Sequence, residues 1–287
     1  MSSDLLAIAL GLFSALTLAT TNLVVKASTD ILMTRAILSS GCALILAPFA
    51  FFLPLPTPAL WLAIAVSVPV HFFYQMSMIR ALNRGDLSLV FPVMRGLAPL
   101  LVAIGAFVFL QESLSWVSIV GLLIATISVI AFGFLRGAQN ASMKAVSRSA
   151  MFWAAMTAVG VMAYNIADAR GVRLAENPFT FVVWLFMCDW IGTVAVAVFM
   201  RRERFISAAK PVMKNGIAGA LLSVVSYGAA LLAIDMIEVA RVTALRETAV
   251  VFGAAMGWLV LKESIGPRRI VASGCLVIGL ALMELGA

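Results

Sequence analysis

Few side chains in this sequence can do chemistry, and most lie in stretches too apolar for water. The only histidine, His71, falls in VPVHFFYQMSMIR (68–80). There His71, Tyr74, Gln75 and Met78 recur at i, i+3, i+4 and i+7, which is one face of a helix. Such a polar-aromatic stripe turns away from lipid, either toward a cavity, as a hydrogen-bond partner for a ligand, or toward a neighbouring helix. Arg95 and Arg246 stand several residues inside apolar segments. A guanidinium there can clamp a carboxylate with two hydrogen bonds. Its alternatives are an internal ion pair, for which Arg246 has Glu247 beside it, or snorkelling to an interface. Tyr164, Asn165 and Asp168 offer a phenol, an amide and an acid that either meet a ligand or hold one helix against another. In LLSVVSYGAAL, Ser223, Ser226 and Tyr227 share a flank, while Asp189 and Trp190 read as a structural node. Met78, Trp153, Tyr164 and Tyr227 supply aromatic and thioether surface able to adapt to varied shapes.

Other chemistries have no footing. The sequence holds no HExxH, GxSxG, phosphate-binding loop or CxxC, and one histidine cannot build a histidine-rich metal site. An enzyme, a resident metal and a cofactor are therefore not expected, nor is a channel, since no selectivity-filter-like stretch appears. Cys42, Cys188 and Cys275 read as small buried hydrophobes. The formal charge of +7 is scattered among loops and does not point to nucleic acid.

The elements that must carry these groups follow from composition. Hydrophobic residues make up 63% and charged residues 11%, with a mean hydropathy of +1.09. Soluble domains run near 45–50% and about 25%. The solvent must be lipid, and the fold an all-α integral membrane protein. A first apolar run with Asp4 as its only preceding charge reads as a spanning helix and not as a cleaved leader. Apolar spans fall near 5–25, 31–53, 59–79, 87–110, 116–135, 150–169, 178–200, 215–237, 242–261 and 270–286, predicting ten transmembrane helices. Loops after odd-numbered spans are rich in Lys and Arg, whereas loops after even-numbered spans carry only Arg170, Arg173 and Arg241. The basic side is cytoplasmic by that bias, so both termini are expected in the periplasm. Gly253-x-x-x-Gly257 fits close helix packing.

The sequence also repeats. VMRGLAPLLVAIGAFVFLQES (93–113) aligns with ALRETAVVFGAAMGWLVLKES (244–264), matching Arg95 to Arg246 and Glu112 to Glu263. Because five is odd, two five-helix halves, 1–140 and 141–287, must be inverted relative to one another. Pro92 and Pro99 have no proline counterparts in the second half, so the halves are expected to bend differently.

Ten helices, the duplication, the L.ES ends and the pattern of Ala81, Leu82, Gly85, Leu87, Ser88, Val90, Pro92 and Pro99 resemble the drug/metabolite transporter superfamily. More narrowly the chain is similar to its EamA-type members, and among them to YddG-like amino-acid exporters. The resemblance implies a central cavity lined by helices 1, 3, 4, 6, 8 and 9. It makes His71, Tyr74, Met78, Arg95, Trp153, Tyr164, Asn165, Tyr227 and Arg246 the candidate substrate-binding residues. The implied function is export of amino acids or related small metabolites across a bacterial inner membrane by alternating access. A proton-coupled multidrug exporter is the alternative, although helix 1 lacks the carboxylate of small multidrug relatives; His71 or Asp168 would then relay protons. From another class, a membrane-embedded enzyme or accessory subunit stands further off.

Overall fold

A computed structural model describes residues 3–26, 28–84, 87–137, 148–261 and 267–286. Gly85, the core of the central linker at 138–147 and Glu263 lie outside the described residues. No strand occurs among those described. Lipid offers nothing to bond to backbone N–H and C=O groups, so apolar segments satisfy them internally as helices. Thirteen α-helices result: α1 Ser3–Lys26, α2 Ile31–Ala50, α3 Pro58–Arg84, α4 Leu87–Gly96, α5 Ala98–Gly105, α6 Trp116–Gly137, α7 Arg148–Leu174, α8 Pro178–Arg201, α9 Phe205–Ala209, α10 Met213–Met236, α11 Val239–Arg246, α12 Ala249–Leu261 and α13 Pro267–Leu285. Helix occupies every apolar span expected above, and the spans at 87–110 and 242–261 are each interrupted.

Local chemistry sets the helix ends. Asp30 accepts from Met33 N at 3.1 Å to cap α2, and Asn177 accepts from Phe179 N at 3.0 Å ahead of Pro178 in α8. Among the described residues six stretches are long and apolar enough to cross a membrane: Asp4–Val25, Ile31–Ala50, Pro58–Ala81, Val93–Leu110, Arg148–Leu174 and the 59-residue Pro178–Met236. Trp116–Ala131 and Ile270–Leu285 are shorter apolar helices. Large apolar side chains such as Leu44, Ile127 and Phe199 point outward, as a lipid solvent permits. Trp116 stands exposed at a span end, where an amphipathic ring favours the headgroup level.

The chain divides into two compact units, Met1–Phe73 with Ala167–Met236, and Tyr74–Ile166 with Ile237–Ala287. Each takes one part from either sequence half, and α3 and α7 contribute to both. In the first unit α10 packs on α1 and α2, and α2 on α8. Small residues let the backbones approach: a Cβ on Gly41 would meet that of Ala220 at 2.8 Å, and one on Gly219 would meet Leu38 at 2.8 Å. Two serines bond reciprocally across α1 and α10, Ser14 Oγ to Ser226 O at 2.6 Å and Ser226 Oγ to Ser14 O at 2.8 Å. The second unit packs α6 on α13 and α4, and α5 on α11. Leu122, Val129, Leu276 and Met283 fill its core, and Gly121 and Gly279 allow direct backbone contact.

Several expectations are corrected. The stretch 201–214, read as a loop, is helical through α9 and flanking 3-10 turns, because Ala209 and Val212 are buried and pin it down. Arg241, also placed in a loop, is buried on α11 and held by Glu238 and Glu284. Cys42 is buried, but Cys188 is half-buried and Cys275 exposed, since a thiol is apolar enough to face lipid. Gly253 is exposed, and an added Cβ there would meet nothing within 4 Å among the described residues, which leaves close packing between subunits as the remaining form of that expectation.

Candidate functional site

The two interruptions fall at the same place in the repeat. One lies between α4 and α5 at Leu97, the other between α11 and α12 at Glu247 and Thr248. In the alignment above, Leu97 and Thr248 are partners, and each break follows its arginine. The causes differ. Pro99 has no N–H for the Arg95 carbonyl and its ring crowds that carbonyl, so α4 stops. The second half has no proline, and there the backbone tightens instead: Glu247 N bonds Ala244 O at 3.0 Å and Thr248 N bonds Leu245 O at 3.1 Å. Thr248 Oγ1 also donates to Leu245 O at 2.7 Å, a back-bond that bends helices. Interrupted helices at corresponding positions of two repeats mark the binding region of secondary transporters.

At these breaks the second unit brings three of its charges together. Arg95 Nη2 meets Glu247 Oε1 at 3.1 Å, with side-chain exposures of 17% and 3%. Arg246 is buried and within electrostatic reach of the same carboxylate. Glu247 Oε2 and Arg95 Nε are buried without a hydrogen-bond partner among the described residues. The phenols of Tyr74 and Tyr164 lie within electrostatic reach of Arg95, and their rings meet edge to face at 5.1 Å. The Tyr74 hydroxyl donates to Met78 Sδ at 3.7 Å. Two guanidiniums, one carboxylate and a tyrosine pair thus share one region of an apolar unit.

The first unit holds another cluster. His71 on α3 and Asp168 on α7 meet at 2.7 Å through Nε2 and Oδ2, and the Tyr227 hydroxyl on α10 donates to that same oxygen. The His71 and Tyr227 rings lie edge to face with centroids 5.7 Å apart, and Phe186 on α8 approaches Tyr227 similarly at 6.0 Å. Asp168 has no exposed surface.

The stripe seen in the sequence is therefore divided. His71 belongs to the first unit's cluster with Tyr227, whereas Tyr74 and Met78 belong to the second unit with Arg95, Arg246 and Tyr164. Trp153 packs, with Tyr74, against the buried cluster that holds Met78, and lies under the Arg80 guanidinium at 4.5 Å. Asn165 stands apart, its Nδ2 donating to Val161 O of its own helix at 2.8 Å. Sequence reasoning set Glu247 beside Arg246 and missed its bond to Arg95. A usable signal was present: where the first repeat has Gly96, the second has an acid deep in an apolar span. Asp168 as the partner of His71 gave no such signal, being 97 residues away.

These features define a helical multi-pass membrane protein with buried ionisable groups at paired helix interruptions. The chain belongs to the EamA-like transporter family, which it matches twice, over residues 1–134 and 148–285. That family consists of membrane transporters of small molecules and not of enzymes. A solved structure, described only as the crystal structure of a protein, shares the fold at a TM-score of 0.73 and 17% identity, covering 99% of this chain and 96% of the other. No curated protein matches the sequence.

Proposed function

We propose that this chain exports amino acids or related small metabolites across a bacterial inner membrane, by alternating access between two inverted five-helix repeats. The observation that carries the reading is the pair of repeat-related interruptions with Arg95, Arg246 and Glu247 gathered beside them. Formally these three groups leave one positive charge, which a substrate carboxylate neutralises. Glu247 supplies the counter-charge for an ammonium, so a zwitterion can exchange with the internal ion pair end for end. Tyr74, Tyr164 and Met78 offer a polarizable wall for an amino-acid side chain.

Ten crossings are supported by the length of Pro178–Met236, which contains α8 and α10 at 24 residues each. The Lys/Arg bias supports periplasmic termini. Counterflow of a radiolabelled amino-acid mixture in proteoliposomes tests the reading. Exchange without chemical turnover supports a carrier, and its dependence on Arg95 supports the site. Absence of exchange, with ethidium transported instead, transfers the chain to the multidrug alternative.

A further inference from the structure

We propose that His71, Asp168 and Tyr227 form a proton-binding site that couples export to the transmembrane proton gradient, an inference that rests on the transport reading above. The three residues come from α3, α7 and α10 of one unit and converge on a single oxygen, Asp168 Oδ2. Elsewhere in the unit Ser14 and Ser226 cross-link α1 to α10 without charge, and the charged link of Arg201 to Asp30 is partly exposed, whereas Asp168 has no exposed surface. An acid paired with an imidazole is an expensive way to join helices in lipid, and such groups mark proton pathways.

The pair can hold one exchangeable proton. With it, an imidazolium faces a carboxylate and the cluster is neutral. Loss of that proton from the imidazolium to water leaves a neutral imidazole beside the carboxylate, and the cluster becomes singly negative. The Tyr227 hydroxyl keeps donating to Oδ2 in both states, so the geometry survives the loss. Asp168 Oδ1 is buried and accepts no hydrogen bond from the described residues, leaving room for a carboxyl proton as the alternative resting place. Asp189 on α8 is a further charged group in electrostatic reach of His71; it and Arg35 on α2 both reach Cys42. One proton moving inward would accompany each amino acid moving outward.

Because His71 is the chain's only histidine, nitrogen-15 histidine labelling reports one imidazole. In vesicles of phosphatidylethanolamine and phosphatidylglycerol, its two nitrogen signals should change across the ordinary histidine range, about pH 5 to about pH 8. The titration should shift in Tyr227→Phe and in Asp168→Asn. A spectrum invariant across that range overturns the proposal, as does a titration unmoved by both substitutions. In the same vesicles loaded with pyranine, wild-type efflux of the amino-acid mixture should move protons inward. Asp168→Asn should lower gradient-driven accumulation, relative to counterflow, to the level seen without a gradient. Wild-type accumulation indifferent to an imposed pH gradient overturns the coupling. No counterflow in vesicles whose His71 titrates sinks the export reading and leaves the proton site standing.

Discussion

Arg95 shows how a buried ion pair changes what a substitution reports. Viewed from sequence, Arg95→Ala should spare stability, because a cavity-facing arginine holds nothing else in place. Its bond to Glu247 reverses that expectation. Removing one member of a buried pair leaves the other charged and desolvated, at about 3–5 kcal/mol. Arg246 still reaches Glu247, so the loss for Arg95→Gln should fall toward the lower end. Arg95→Gln combined with Glu247→Gln should recover most of it, and thermal unfolding of the four proteins in detergent measures the cycle. Transport should stay low in the double variant, since the substrate's carboxylate has lost its partner. Recovery of stability and transport together would reduce the pair to a structural contact. Side-chain types were legible here and pairings were not: only folding sets Arg95 against Glu247, and Asp168 against His71.

At the scale of elements, the apolar spans could be read to within a few residues because length and hydropathy alone dictate them. The interruptions inside them could not. The first announces itself through Pro99, yet the second is built from ordinary residues whose backbone merely shortens its hydrogen bonds. Proline was thus a sufficient signal and not a necessary one; the halves differ in how they break and agree in where. Pro99→Ala gives residue 99 an N–H and the Arg95 carbonyl a partner. It should stabilise the protein by about 1 kcal/mol, the net worth of one such bond, while slowing counterflow. Paired unfolding and exchange assays would show it, and a variant both more stable and equally fast would remove the break from the mechanism. Gly96 lies one residue before that break, and a Cβ there would collide with Ile130 of α6, so α4 is held close as well as cut short.

For the molecule as a whole, sequence halves and compact units divide the chain differently. Repetition is visible in sequence because it is written along the chain; packing is not, because it brings together distant helices. Each unit draws on both halves, so neither half can bury its own faces. Fragments 1–140 and 141–287 should each be degraded when expressed alone and accumulate when expressed together, as immunoblots of membranes would reveal. A stable lone fragment would make the half self-sufficient. A reporter active only in the cytoplasm, fused after Ala287, should stay silent; a strong signal would invert the topology. The reciprocal serine bonds between α1 and α10 also set a schedule for synthesis. Their residues are 212 positions apart, and at roughly 5–20 residues per second the ribosome needs on the order of 10–40 s to join them. For that interval α1 sits in the bilayer with its small-residue face and the Ser14 hydroxyl waiting for a partner not yet made. The first helix therefore finds its partner only when synthesis has passed every element up to α10.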